Sequence, residues 1–131
     1  MSDKLLKVLD ISSEEQQIQR LYELGYKDYF ARRKCGDGIT YECKTGSLRD
    51  LAFRLRDEVK YSKGKIRGLA ALSISQRIVY DYVSNLPEKR PSLEWSIIHS
   101  LSFEDYKDYF SDTCKAIHWV IVALITMERY K

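Results

Sequence analysis

Cys114 and His118 lie four residues apart, the spacing that puts two side chains on one face of a helix, and a thiol beside an imidazole is the pairing that a cysteine nucleophile requires. Their neighbours argue against that use. His118 stands between Ile117 and Trp119 in an apolar run, and a thiol among apolar groups keeps its proton, whereas a nucleophile needs a lowered pKa and access. The second histidine, His99, sits beside the stripe Leu93, Ile97, Ile98 and Leu101. Adjacent carboxylates occur at Glu14 with Glu15, Asp57 with Glu58, and Glu104 with Asp105, as in caps and solvated helix faces. None shows the contrast in environment that separates a catalytic acid from its base. No constellation reaches an enzyme motif, and the expectation is a protein without catalytic activity.

Metal and phosphate chemistry are equally thin. Cys35 and Cys43 are seven residues apart in the run between them, whereas zinc ligands come in pairs two to four residues apart with a second pair elsewhere. The GDG at residues 36–38 lacks the further glycines and the Lys-Ser or Lys-Thr of a phosphate loop. No metal and no cofactor are expected.

Charge is the stronger clue. Residues 32–67 hold eleven Lys and Arg against five Asp and Glu, a local balance of +6, while the whole chain carries only +3. Within this segment Arg49, Phe53, Arg56 and Lys60 recur at helical spacing, so cations flank one aromatic ring, and Arg54, Lys63, Lys65 and Arg67 extend the basic surface. Such a surface binds either a nucleic-acid backbone with one stacking ring or an acidic protein surface with one apolar anchor. The plainer alternative is a solvated helix with Phe53 tucked against a neighbour.

These residues must be held by helices. Ser12 or Ser13, with Glu15 or Gln16 three residues on, opens a helix whose face carries Ile18, Leu21 and Tyr22, and Gly25 either ends or bends it. Residues 3–9 predict a short helix or a strand. Around Gly36 the composition shifts to glycines and β-formers, which predicts a loop or a short hairpin near residues 39–43. Leu48, Leu51, Ala52, Leu55 and Val59 form one stripe of an amphipathic helix capped by Ser47. After the basic loop YSKGKIRG, a second stripe runs through Leu72, Ser75, Val79, Tyr82 and Leu86, widened by Ile78 and Val83. Pro87 and Pro91 bracket a connection to SLEWSIIHSLS and to FEDYKDYFSD. The pentapeptide YKDYF occurs at residues 26–30 and again at 106–110, but its flanks differ and no duplication is expected.

Residues 113–130, TCKAIHWVIVALITMERY, are the most apolar run and the predicted centre of the core. A helix here is apolar nearly all round, hence buried on several sides, and too short to span a bilayer. Its β-branched residues make a buried strand the alternative for part of it. At 131 residues with 44% hydrophobic and 31% charged residues, one ordinary globular domain is expected. The charged start MSDKLLKVLD lacks the features of a secretory signal, which predicts a cytoplasmic protein with three reduced cysteines.

DLAFRLRDE at residues 50–58 and KAIHWVIVALI at residues 115–125 resemble segments of small proteins of unknown function encoded by tailed phages and prophages, many ending in an IHW-type helix. That resemblance implies an accessory protein that blocks a host or defence protein or sequesters a small ligand. The fold expected from the residues themselves is mainly α, a helical domain around a buried C-terminal helix with the short hairpin, and α+β is the alternative if the N-terminus joins that hairpin in a sheet. Ten tyrosines and two tryptophans leave room for an aromatic homo-oligomer interface. No membrane partner is expected.

Overall fold

The computed structural model describes residues 3–60, 68–85 and 116–129. They form α1 (Asp3–Val8), α2 (Glu14–Glu23), β1 (Phe30–Cys35), β2 (Gly38–Cys43), α3 (Leu48–Lys60), α4 (Gly68–Ser84) and α5 (Ala116–Arg129). The chain is mainly helical, with one antiparallel hairpin among the described residues. The connection around Pro87 and Pro91, SLEWSIIHSLS, His99, Cys114 and the second YKDYF lie outside the described residues.

Every residue of α5 from Ile117 to Thr126 is buried. The run is helical throughout, which removes the strand alternative for the described part. The β-branched residues Ile117, Val120, Ile121, Val122 and Ile125 disfavour helix by only a few tenths of a kcal/mol each, whereas burying such a side chain contributes about 1.5–3 kcal/mol. Surroundings that bury all sides therefore decide the conformation. Helices α3 and α4 provide most of those surroundings, and α1 adds a smaller contact.

The stripe of α3 is buried as its spacing requires, with Leu48, Leu51, Ala52, Leu55 and Val59 all in the core. Ser47 Oγ accepts the Asp50 amide at 3.1 Å and so caps the first turn. From α4, Leu72, Ser75, Val79 and Val83 are buried, and Ile78 and Tyr82 pack at the margin. Where α4 meets α5, the hydroxyls of Ser75 and Thr126 share a hydrogen bond at 2.6 Å, so this buried polar pair is satisfied inside the core.

At the N-terminus, residues 3–8 resolve as helix, and the described sheet has two strands only. The α+β arrangement in which the N-terminus joins the hairpin is therefore not adopted. Gln17, buried in α2, donates its Nε2 to the Ile11 carbonyl at 2.8 Å and locks the α1–α2 connection. Ser13 caps α2 by accepting the Gln16 amide at 3.4 Å.

Gly25 ends α2 and does not merely bend it. The Gly25 amide donates to the Tyr22 carbonyl and the Tyr26 amide to the Leu21 carbonyl, the paired bonds of a Schellman cap, with Gly25 at φ +107°. The first YKDYF copy thus occupies a turn and the first residue of β1, not a helix. A Cβ on Gly25 meets nothing within 4 Å, so the cost of Gly25→Ala is conformational alone. We expect a loss of about 1–2 kcal/mol, read as a lower denaturant midpoint at unchanged slope.

The hairpin is longer than residues 39–43 alone, because β1 pairs with β2 from Phe30 opposite Cys43 to Cys35 opposite Gly38. Gly36 and Asp37 form its two-residue turn, and Gly36 alone takes a positive φ, +57°, as a type II′ turn demands of its first central residue. Phe30, fully buried, anchors the base of the hairpin in the core.

Candidate binding surface

The basic helix positions divide into three groups. Arg54 is exposed and reaches Glu58 one turn on, with Nε to Oε1 at 3.5 Å. Arg56 is only 15% exposed and donates both Nε, at 2.9 Å, and Nη2, at 2.6 Å, to Asp57 Oδ1, while its guanidinium lies 5.8 Å from the centre of the Phe53 ring. Phe53 itself is half-buried and packs against the core. Arg49 is exposed in the first turn, Lys60 closes α3, and Lys63, Lys65 and Arg67 lie outside the described residues. Two of the candidate cations therefore already face carboxylates of their own helix, and the Phe53 ring is partly committed to packing.

Glu58 serves a second partner, because the Tyr29 hydroxyl donates to its Oε2 at 2.9 Å. Burial first, then that bond and the carboxylate charge, push the Tyr29 phenol up to about 12. The same device recurs twice. The Tyr26 hydroxyl donates to Glu128 at the end of α5 at 3.1 Å, and Tyr82 of α4 donates to Asp10 at 2.7 Å. Each tyrosine–carboxylate bond joins elements far apart in the chain.

The hairpin carries cations that the helix-centred reading passed over. Arg32 and Lys34 are exposed on β1, opposite Tyr41 and Ile39 respectively, and among the described residues neither faces a carboxylate within ion-pair distance. Their neighbour Arg33 points to the other face of the ribbon and pairs with Glu42. Tyr41 packs against Tyr22 of α2 with ring centroids 5.5 Å apart, and Lys27 covers the Tyr22 ring at 5.3 Å. Ile39 at the tip is 46% exposed, one of two large apolar side chains so placed among the described residues. One face of the hairpin thus runs from buried Phe30 and Cys43 through Arg32 and Tyr41 to Lys34 and Ile39. The signal was present in the sequence as Arg-Arg-Lys one residue before a glycine-bounded turn.

Cys35 and Cys43 do not form a centre. Cys35 and Cys43 stand at opposite ends of the ladder, five residues apart along β1, about 17 Å at about 3.4 Å per residue. That is far beyond the reach of a shared metal or a disulfide. Burial, followed by the charges of Glu14 and Glu42, raises the Cys43 thiol to about 12 and keeps it protonated. No group of three metal-ligating side chains occurs among the described residues. His118 is buried in α5, and the geometry of its pairing with Cys114 lies outside them. No described helix is long and apolar enough to cross a membrane.

No family model matches the chain, and no curated protein or solved structure matches it either. The surface has to be read on its own chemistry.

Proposed function

We propose that this protein acts by binding, without turnover, and that it docks an acidic surface of a partner protein through the cations of residues 32–67, with the hairpin as the main contact. The observation that carries this reading is the contrast between Arg32 and Lys34, exposed without carboxylate partners among the described residues, and Arg54 and Arg56, which face carboxylates on α3. Cations already paired have less to offer a partner, whereas unpaired ones steer and hold an acidic surface. Ile39 beside Lys34 adds the apolar anchor that protein interfaces place among polar rims. A phage-type accessory role, in which the partner is a host or defence protein, belongs to the same proposal.

A second reading is supported by the shape of the same element. A two-stranded ribbon fits the major groove of DNA, and Arg32, Arg33 and Lys34 would lie along it. The two readings separate in one experiment, affinity capture from cell extract with the native chain and with Arg32→Glu/Lys34→Glu, with and without nuclease. The protein-partner reading expects a nuclease-resistant acidic protein that the native chain retains and the double variant loses. Equal retention by both chains, or capture abolished by nuclease, overturns it.

A further inference from the structure

The hydrogen-bond phase of the hairpin shows what its outer edge offers. The Lys44 amide donates to the Tyr29 carbonyl at 2.9 Å, so residues 29 and 44 form a hydrogen-bonded pair. In an antiparallel ladder such pairs alternate with non-bonded ones. The pairs Arg33 with Thr40 and Cys35 with Gly38 therefore turn their N–H and C=O groups inward, whereas Arg32 and Lys34 turn theirs away from β2. At the base this outward set is used: the Phe30 amide donates to the Tyr26 carbonyl and the Cys43 carbonyl accepts from Gly46. Farther out, the main-chain groups of Arg32 and Lys34 have no hydrogen-bond partner among the described residues, and both residues are exposed.

We propose that this open edge of β1 receives an acidic, extended segment of the partner as a third strand, an inference that rests on the binding function proposed above. Strand addition draws affinity from main-chain bonds and specificity from alternate side chains. Arg32 and Lys34 share one face at about 7 Å separation, so carboxylates at alternate positions of the incoming segment meet both. Charge selects the occupant. A second copy of this chain on the same edge would set Arg32, Arg33 and Lys34 against the same three cations, and like charges placed opposite one another oppose pairing. The β2 edge offers Ile39 and Tyr41 without charge, and Tyr41 is already packed on Tyr22.

The probe is a short synthetic peptide of alternating Glu and Val, titrated into the full chain and compared with the same peptide N-methylated at alternate residues. Lys34→Pro supplies the matching change in the protein, because it removes an outward amide and leaves the β1–β2 ladder its bonds. Strand addition predicts slowed amide exchange at Arg32 and Lys34 on binding, and affinity about tenfold weaker both for the methylated peptide and for Lys34→Pro, the effect of one or two lost hydrogen bonds. Failure of the unmodified peptide to bind overturns the inference. Equal binding of both peptides, with Lys34→Pro unaffected, also overturns it, since side-chain charge then explains the contact. That last outcome leaves the binding function itself standing, which falls if the charge-reversed hairpin keeps its partner or if nuclease abolishes capture. If Lys34→Pro fails to fold, the methylated peptide decides the matter on the native chain.

Discussion

Replacing Trp119 with alanine is expected to destabilise the protein by about 3–5 kcal/mol, because it removes the largest fully buried side chain among the described residues and leaves a cavity in a helix enclosed on all sides. A domain of this kind has about 5–15 kcal/mol of stability in all. The variant should therefore populate unfolded chain under mild denaturant where the native protein does not. The comparison is Ile39→Ser at the exposed hairpin tip, expected within about 0.5 kcal/mol of the native chain. Chemical denaturation monitored by far-UV circular dichroism measures both. A Trp119→Ala loss no greater than that of Ile39→Ser would mean that α5 is not the centre of the core.

Stability is also expected to fall at alkaline pH and to be insensitive to these groups below it. Burial raises the Cys43 thiol from 9.0 to about 12, and burial together with Glu58 or Asp10 raises Tyr29 and Tyr82 from 10.0 to about 12. Tyr26 moves in the same direction, first through burial and then through the charge and hydrogen bond of Glu128. The folded values lie above the unfolded ones, so over this window the unfolded chain releases protons that the native state keeps. Each rise in pH then favours unfolding. The contribution is fully present below about pH 9, declines from there for Cys43 and from about 10 for the tyrosines, and is spent as pH passes the folded values. Denaturant midpoints measured across this range test it. Tyr26→Phe should reduce the alkaline slope and cost about 1 kcal/mol at neutral pH, since one hydrogen bond to a partly exposed carboxylate is lost. An unchanged slope would show that Tyr26 and Glu128 do not contribute.

The helices were legible because their causes are local and periodic. Ser13 and Ser47 mark starts through bonds to residues within a few positions, and the α3 and α4 stripes repeat often enough to define one face each. The hairpin was half legible. Gly36 and Asp37 announced a turn, but Phe30 to Cys35, with three consecutive cations, reads as a solvated stretch until β2 is set beside it. Strand character there comes from cross-strand pairing and from Phe30 reaching the core, and neither is visible along a single segment.

The candidate site shows the same division. Composition located the excess positive charge within residues 32–67, but periodicity drew attention to α3, where Arg56 proves to be mostly covered and bonded to Asp57. Which cations face a carboxylate depends on side-chain reach and on burial, which spacing does not encode. The tyrosine–carboxylate bonds are a sharper instance, since Tyr26 meets Glu128 and Tyr82 meets Asp10 only after distant elements pack. By itself, the sequence determined the helical class, the central place of the C-terminal apolar run, the starts of α2 and α3 and the basic character of the middle. Tertiary structure alone decided that the apolar run is helix and not strand, that Gly25 stops α2, and that the cations without carboxylate partners among the described residues stand on one edge of a hairpin. Local bonds and repeats act within a few residues, whereas burial, strand pairing and charge neutralisation depend on what the folded chain brings alongside.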